Sequence, residues 1–214
     1  MQDIFEQVDE QLEMDRVQKW WEANRKWLIA GLVFFFILLF AYVGWRDYQL
    51  RQDHAASEQF MVFQDALGKS EAASAQKGFD ALLNGHPGHG YAQFGRFLEA
   101  RALAAQGNRE GALAQLALLV KESGSSLLVD LALLNAAYLT VGEASQAESF
   151  LARMNDHSPY RAHALELQGL LAAQRGDPQA ALERYREAHA LAPEGSLRSR
   201  LESRLERLGG EEKK

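Results

Sequence analysis

The chain has 214 residues, with 29 acidic side chains against 23 basic ones and no cysteine. That balance excludes a nucleic-acid-binding surface, which would need clustered Lys and Arg to displace counterions from phosphates. The missing cysteines exclude disulfides, thiol catalysis and Cys-ligated zinc, and they leave the compartment open. Residues 1–26 form an acidic tail with seven acids and four bases. In it, Ile4, Phe5, Val8 and Leu12 fall on one helical face, and Val17, Trp20 and Trp21 continue a displaced stripe. The pattern predicts a short amphipathic helix. It is either an interfacial helix on the bilayer, for which its acidity is unfavourable, or a cytoplasmic docking segment for a membrane partner.

Residues 27–45, Trp27 to Trp45, carry no charge, and twelve of the nineteen are Leu, Ile, Phe or Val. As a helix this run is ~28 Å long, close to the hydrocarbon thickness of a bilayer. Trp27, Trp45 and Tyr48 supply interfacial aromatics, and Arg25, Lys26 and Arg46 close the ends. A cleaved signal peptide fits poorly. The apolar run is too long, the leading segment is acidic, and Tyr42-Val43-Gly44-Trp45 lacks a small-x-small cleavage pattern. The expectation is an uncleaved transmembrane helix. Arg16, Lys19, Arg25 and Lys26 precede it and only Arg46 and Arg51 follow closely, a four-to-two bias. That bias puts the amino terminus in the cytoplasm and the carboxyl-terminal domain across the membrane.

No Gly or Pro interrupts residues 46–67, which predicts a helical stalk merging into the first unit of a domain at 68–208. Within that domain Gly107, Gly142 and Gly176 recur at spacings of 35 and 34 residues. Each is followed five residues later by Ala112, Ala147 or Ala181, and four after that by Leu116, Leu151 or Tyr185. This period resembles the tetratricopeptide repeat. Gly169, Ala181, Tyr185, Ala188 and Pro193 match it most fully, and Ala75, Phe79, Leu82 and Pro87 form a degenerate earlier unit. In the middle units Ala100 and Asn135 replace the small first-helix glycine. The fold class expected is all-α: one amino-terminal transmembrane helix, then an α-solenoid of about three and a half helix pairs. A capping helix carries Leu197, Leu201, Leu205 and Leu208 on one face, and residues 209–214 fray.

Chemistry is sparse. His86-Pro87-Gly88-His89 sits in a Gly- and Pro-rich connector without a third ligand, and Asp156-His157-Ser158 is another connector. No phosphate-binding loop, His-Glu-x-x-His or nucleophile elbow is present, so the reading is not an enzyme, with no cofactor, metal or small-molecule substrate. Resemblance to the repeat family places a groove on the first helices. Its lining would be Phe94, Phe97, Arg101 and Ala104, then Val129, Ala132, Ala136 and Leu139, then His163, Glu166, Leu170 and Ala173. This largely apolar set with one Arg suits apolar peptide segments or a partner's surface, unless the residues are core or the cap or stalk fills the space.

An acidic tail opening on Asp3-Ile4-Phe5, one span ending in Gly44-Trp45-Arg46, and a repeat domain of this size resemble the YfgM-like ancillary subunits of the SecYEG translocon. That resemblance implies a bacterial inner-membrane location, a periplasmic domain, and the translocon and a periplasmic chaperone as partners. The function it implies is handing secretory polypeptides to periplasmic folding factors. The alternative is a repeat scaffold for a membrane-bound or organelle assembly complex unrelated to secretion.

Overall fold

A computed structural model describes the backbone from Gln2 to Glu211 and the side chains from Trp20 to Gly209. Among the described residues every element is helical: α1 (Gln2–Gly68), α2 (Ala72–Gly85), α3 (Gly90–Ala105), α4 (Arg109–Glu122), α5 (Ser126–Leu139), α6 (Ala144–Leu151), α7 (Arg161–Gln174), α8 (Pro178–Leu191) and α9 (Ser196–Glu211). The chain divides into two units, Met1–His54 and Ala55–Lys214.

The first unit is helix throughout its described length and exposes its apolar side chains, including Trp27, Phe34, Phe40 and Trp45. None of its most apolar stretch is buried in protein, and among the described residues this helix alone is long and apolar enough to cross a membrane. The docking expectation for Ile4, Phe5, Val8 and Leu12 falls outside the described side chains.

In the second unit, successive helices pack antiparallel in pairs, and the first helices α3, α5 and α7 also touch one another in a row. The 34-residue pattern accounts for this packing. Ala112, Ala147 and Ala181 are fully buried, and Leu116, Leu151 and Tyr185 fill the space beside them. A β-carbon placed on Gly169 would lie 2.6 Å from the Tyr185 ring, so the glycine admits the aromatic of its own pair. The last turns of α1 complete the earliest pair: Phe60, Phe63 and Ala66 cluster with Ala75, Phe79 and Leu82 of α2. At the other end Leu197 and Leu201 of α9 are buried against α7 and α8, with Leu205 and Leu208 packed beside them.

Side-chain caps start the helices where the sequence supplies them. The Asn108 side chain accepts from Gly111 N at 3.0 Å and Asp177 from Ala180 N at 3.0 Å, with Pro178 in the first helical turn of α8. The turns within pairs are of two kinds. At Gly107 (φ +81°) and Gly176 (φ +78°) the chain enters the left-handed region. Asn108 N then reaches back to Leu103 O, and Asp177 N to Ala172 O, closing each helix by a Schellman motif. Ser70 (φ +59°) makes the same turn after α1, with Glu71 N bonded to Ala66 O at 2.9 Å. Gly142 also sits in its turn, but its φ is not left-handed; Glu143 N closes that turn on Thr140 O at 2.8 Å. Ser70→Gly should therefore raise stability by about 0.5–1 kcal/mol through relief of left-handed strain, whereas Gly107→Ala should lower it by about 1 kcal/mol. Gly142→Ala should change little. Urea melts of the three variants check this ordering, and a destabilised Ser70→Gly would contradict it.

Glu99 of α3 is a buried acid with no ion pair among the described residues. Burial pushes its carboxyl above the usual 4.5, and the Asp80 carboxylate adds to the effect. The folded chain thus holds this proton to higher pH than the unfolded chain does. The associated stability is complete below about pH 4.5 and declines as pH rises through the folded value. Glu99→Gln is expected to raise the melting temperature at pH 7 and to flatten the dependence over that window. A pH profile identical to that of the parent chain would refute this.

Candidate interaction surface

Two groups of side chains stand out along the row of first helices. The first is aromatic and joins the end of α1 to α3. Phe60 lies 5.4 Å from Tyr91 and 5.8 Å from Phe94, and Phe94 lies 6.0 Å from Phe97, ring centre to ring centre. Phe94 remains 39% exposed, whereas Phe97 is buried with Ala100, Leu116, Leu119, Ala132 and Ala136. The His89 ring stacks on Tyr91, and its Nδ1 accepts from Tyr91 N, so this histidine caps α3. Asp156, His157 and Ser158 are likewise engaged in turn contacts. Asp156 faces Arg161, Asn155 accepts from His157 N, and Ser158 accepts from Tyr160 N. Among the described residues no group of three or more His, Asp or Glu side chains is placed to hold a metal ion.

The second group is polar and surrounds Glu166 of α7. This carboxylate is 4% exposed and accepts a two-point contact from α9: Arg200 Nε to Oε1 at 3.0 Å and Nη2 to Oε2 at 2.8 Å. Arg204 Nε approaches Oε1 at 3.4 Å, its Nη1 reaches the Tyr185 hydroxyl at 3.4 Å, and its guanidinium lies 5.5 Å from the Tyr185 ring centre. The contact with Glu166 holds the Arg200 guanidinium above its ordinary range. Burial raises the Tyr138 phenol, the Glu166 charge raises it further, and Arg200 and Arg204 pull it back. Tyr138, Glu166, Leu167, Leu170, Arg200 and Arg204 line a cavity of about 200 Å³.

The expected groove residues therefore divide. Phe94, Arg101 and Ala173 are exposed, and Ala104, Val129, Leu139, His163 and Leu170 are half-buried. Phe97, Ala132, Ala136 and Glu166 are buried, the first three as core and Glu166 under the arginines of α9. Phe60, Tyr91, Tyr138, Arg200 and Arg204 were not anticipated. Arg200 stands 34 residues after Glu166, and Arg204 stands at the same interval after Leu170. Carrying the repeat period onto the capping helix would have found both.

A family model described as a tetratricopeptide repeat-like domain matches residues 18–210. The chain belongs to this tetratricopeptide repeat-like family. Two similar solved structures share its fold. One is a tetratricopeptide repeat protein from Parabacteroides merdae, 18% identical, with a TM-score of 0.58 over 74% of this chain and 61% of that one. The other is pilF of Pseudomonas aeruginosa, 16% identical, with a TM-score of 0.59 over 76% and 71%. No curated protein matches. In tetratricopeptide terms α3, α5 and α7 are the first helices of three successive repeats. The end of α1 packs on α2, and α9 packs on α7 and α8.

Proposed function

We propose that this tetratricopeptide repeat-like protein is a membrane-anchored interaction module, an ancillary SecYEG translocon subunit of the YfgM-like kind. In this reading it is a single-pass protein of the bacterial inner membrane with its amino terminus in the cytoplasm. Its repeats receive emerging secretory polypeptides and pass them to periplasmic folding factors. The observation that carries the reading is the pairing of one bilayer-length apolar helix with a repeat stack whose first helices present an accessible aromatic surface at Phe94. Extended polypeptides emerging into the periplasm expose apolar side chains, and a rigid aromatic surface binds such segments at little entropic cost. The four-to-two basic bias supports the orientation, and Gly44-Trp45-Arg46 supports the family.

Crosslinking in native membranes followed by partner identification tests it. Translocon subunits and a periplasmic chaperone are expected among the adducts, with polypeptide crosslinks at Phe94 reduced in Phe94→Asp. Recovery only of partners outside the secretion machinery would move the protein to the scaffold class. A carboxyl-terminal reporter active in the cytoplasm would overturn the orientation.

A further inference from the structure

We propose that the cavity between the ends of α1 and α3 and the start of α2 receives a lysine side chain of a protein partner. The cavity encloses about 440 Å³ within the repeat unit, and none of the expected groove residues lines it. It is separate from the aromatic surface at Phe94.

Most of the lining is short and apolar. Ala66 and Ala75 are buried, Leu67 and Ala102 are half-buried and Ala105 is exposed, so the lining runs from the interior out to the surface. An unbranched aliphatic stem fits such a lining and can enter with its own backbone left outside.

Three polar side chains, Ser70, Glu71 and Gln106, line the same cavity. Among the described residues none of the three has a side-chain hydrogen bond or an ion pair. Glu71 holds the N-cap position of α2, yet its carboxylate does not cap the helix. Ser70 occupies a left-handed turn where Gly107 and Gly176 hold the equivalent turns. A serine in that conformation sacrifices stability, and it adds to the lining a hydroxyl that glycine would lack. A carboxylate, a hydroxyl and an amide oxygen are three acceptors, and an ammonium has three donors and no acceptor. A guanidinium would bring a planar fork to a single carboxylate, a poorer match.

The backbone adds the same sign. Both α1 and α3 end at this cavity, and a helix carboxyl end carries partial negative charge, against one amino-terminal end from α2. Neither α1 nor α3 has a basic side chain in its last turn. Lys69, which follows α1, is drawn to Asp65 at 2.6 Å. A cation from outside the chain would complete the site.

The test uses the full-length chain in non-ionic detergent micelles and two fluorescein-labelled, amidated peptides, Gly-Ala-X-Ala-Gly with X either lysine or norleucine. Norleucine keeps the aliphatic stem and lacks the ammonium. Fluorescence anisotropy, corrected for empty micelles, should show the lysine peptide binding about fivefold more tightly, the upper range for an exposed ion pair. Glu71→Gln should bring that ratio to near one. Ser70→Gly should lower it to about threefold while raising the melting temperature, which separates loss of the site from loss of the fold. Ala105→Trp fills the cavity from its exposed side without changing a charge, and it should also bring the ratio to near one. Glu183→Gln, at an exposed acid on α8, should leave the ratio unchanged. Equal affinity for the two peptides would overturn the site, as would failure of both to bind. A lysine preference that survives Glu71→Gln or Ala105→Trp, or that falls with Glu183→Gln, would overturn it too. Loss of the preference in Phe94→Asp would assign the binding to the aromatic surface instead of this cavity. Competition by n-butylammonium at the peptide's own concentration would overturn a partner's side chain as the occupant.

Discussion

Ala181→Glu is expected to unfold the carboxyl-terminal repeats, at a cost of about 4 kcal/mol or more. Ala181 is fully buried in the cluster that joins α7, α8 and α9, beside Leu165, Tyr185 and Leu201. Its neighbours in that cluster are hydrophobic, so a new carboxylate there would be stripped of water. The helix cannot rotate the charge outward without withdrawing Tyr185, which seals the space over Gly169. Because each repeat depends on its neighbours for buried surface, the loss should spread through α9 and α7. Circular dichroism of the full chain in micelles should show a large early loss of helix on heating. Ala190→Glu, at an exposed site on the same helix, should melt like the parent. A parent-like melt for Ala181→Glu would refute the assigned packing.

Phe63→Ala is expected to cost about 3–5 kcal/mol, the range for removing a buried aromatic side chain. Phe63 is fully buried, and its ring lies 5.3 Å from that of Phe79. It is the centre of the cluster that ties the last turns of α1 to α2 and to Ala92 of α3. Met61, two residues earlier, is 62% exposed, so Met61→Ala should be nearly neutral. Limited proteolysis should then cut Phe63→Ala first between α1 and α3 while α7 to α9 stay protected. Equal sensitivity of the two variants would mean that the earliest helix pair does not pack as a repeat.

Much of this fold could be read from a period. The buried alanines and their large partners repeat because each pair solves the same packing problem, and a pattern of sizes at 34-residue spacing survives without any knowledge of contacts. Turn conformation was less legible. Gly107 and Gly142 look alike in sequence, yet only the first is left-handed, while Ser70 adopts that conformation without being glycine. The difference lies in which carbonyl each turn returns to, a property of the whole turn that one residue type does not report. The site was least legible. Phe97 and Glu166 occupy equivalent repeat positions, but one is buried by α4 and α5 and the other by arginines of α9. What covers a groove position depends on the next helix, and α9 was read only for its leucines.

Those leucines leave a problem that Glu166 solves. Leu197, Leu201 and Leu205 repeat every four residues, so a slip of α9 by one turn would put leucine against leucine again. Hydrophobic burial alone would distinguish these alignments poorly. Advancing by one turn would put Leu208 where Arg204 belongs, and retreating would put Ser196 where Arg200 belongs. Only the observed register sets both guanidiniums against the buried carboxylate. Whatever the pair adds to stability after desolvation, it makes the misaligned alternatives costly, since each would strand Glu166 with at most one partner. The last helix is therefore threaded to a unique stop, and the length of the stack is fixed by an ionic key.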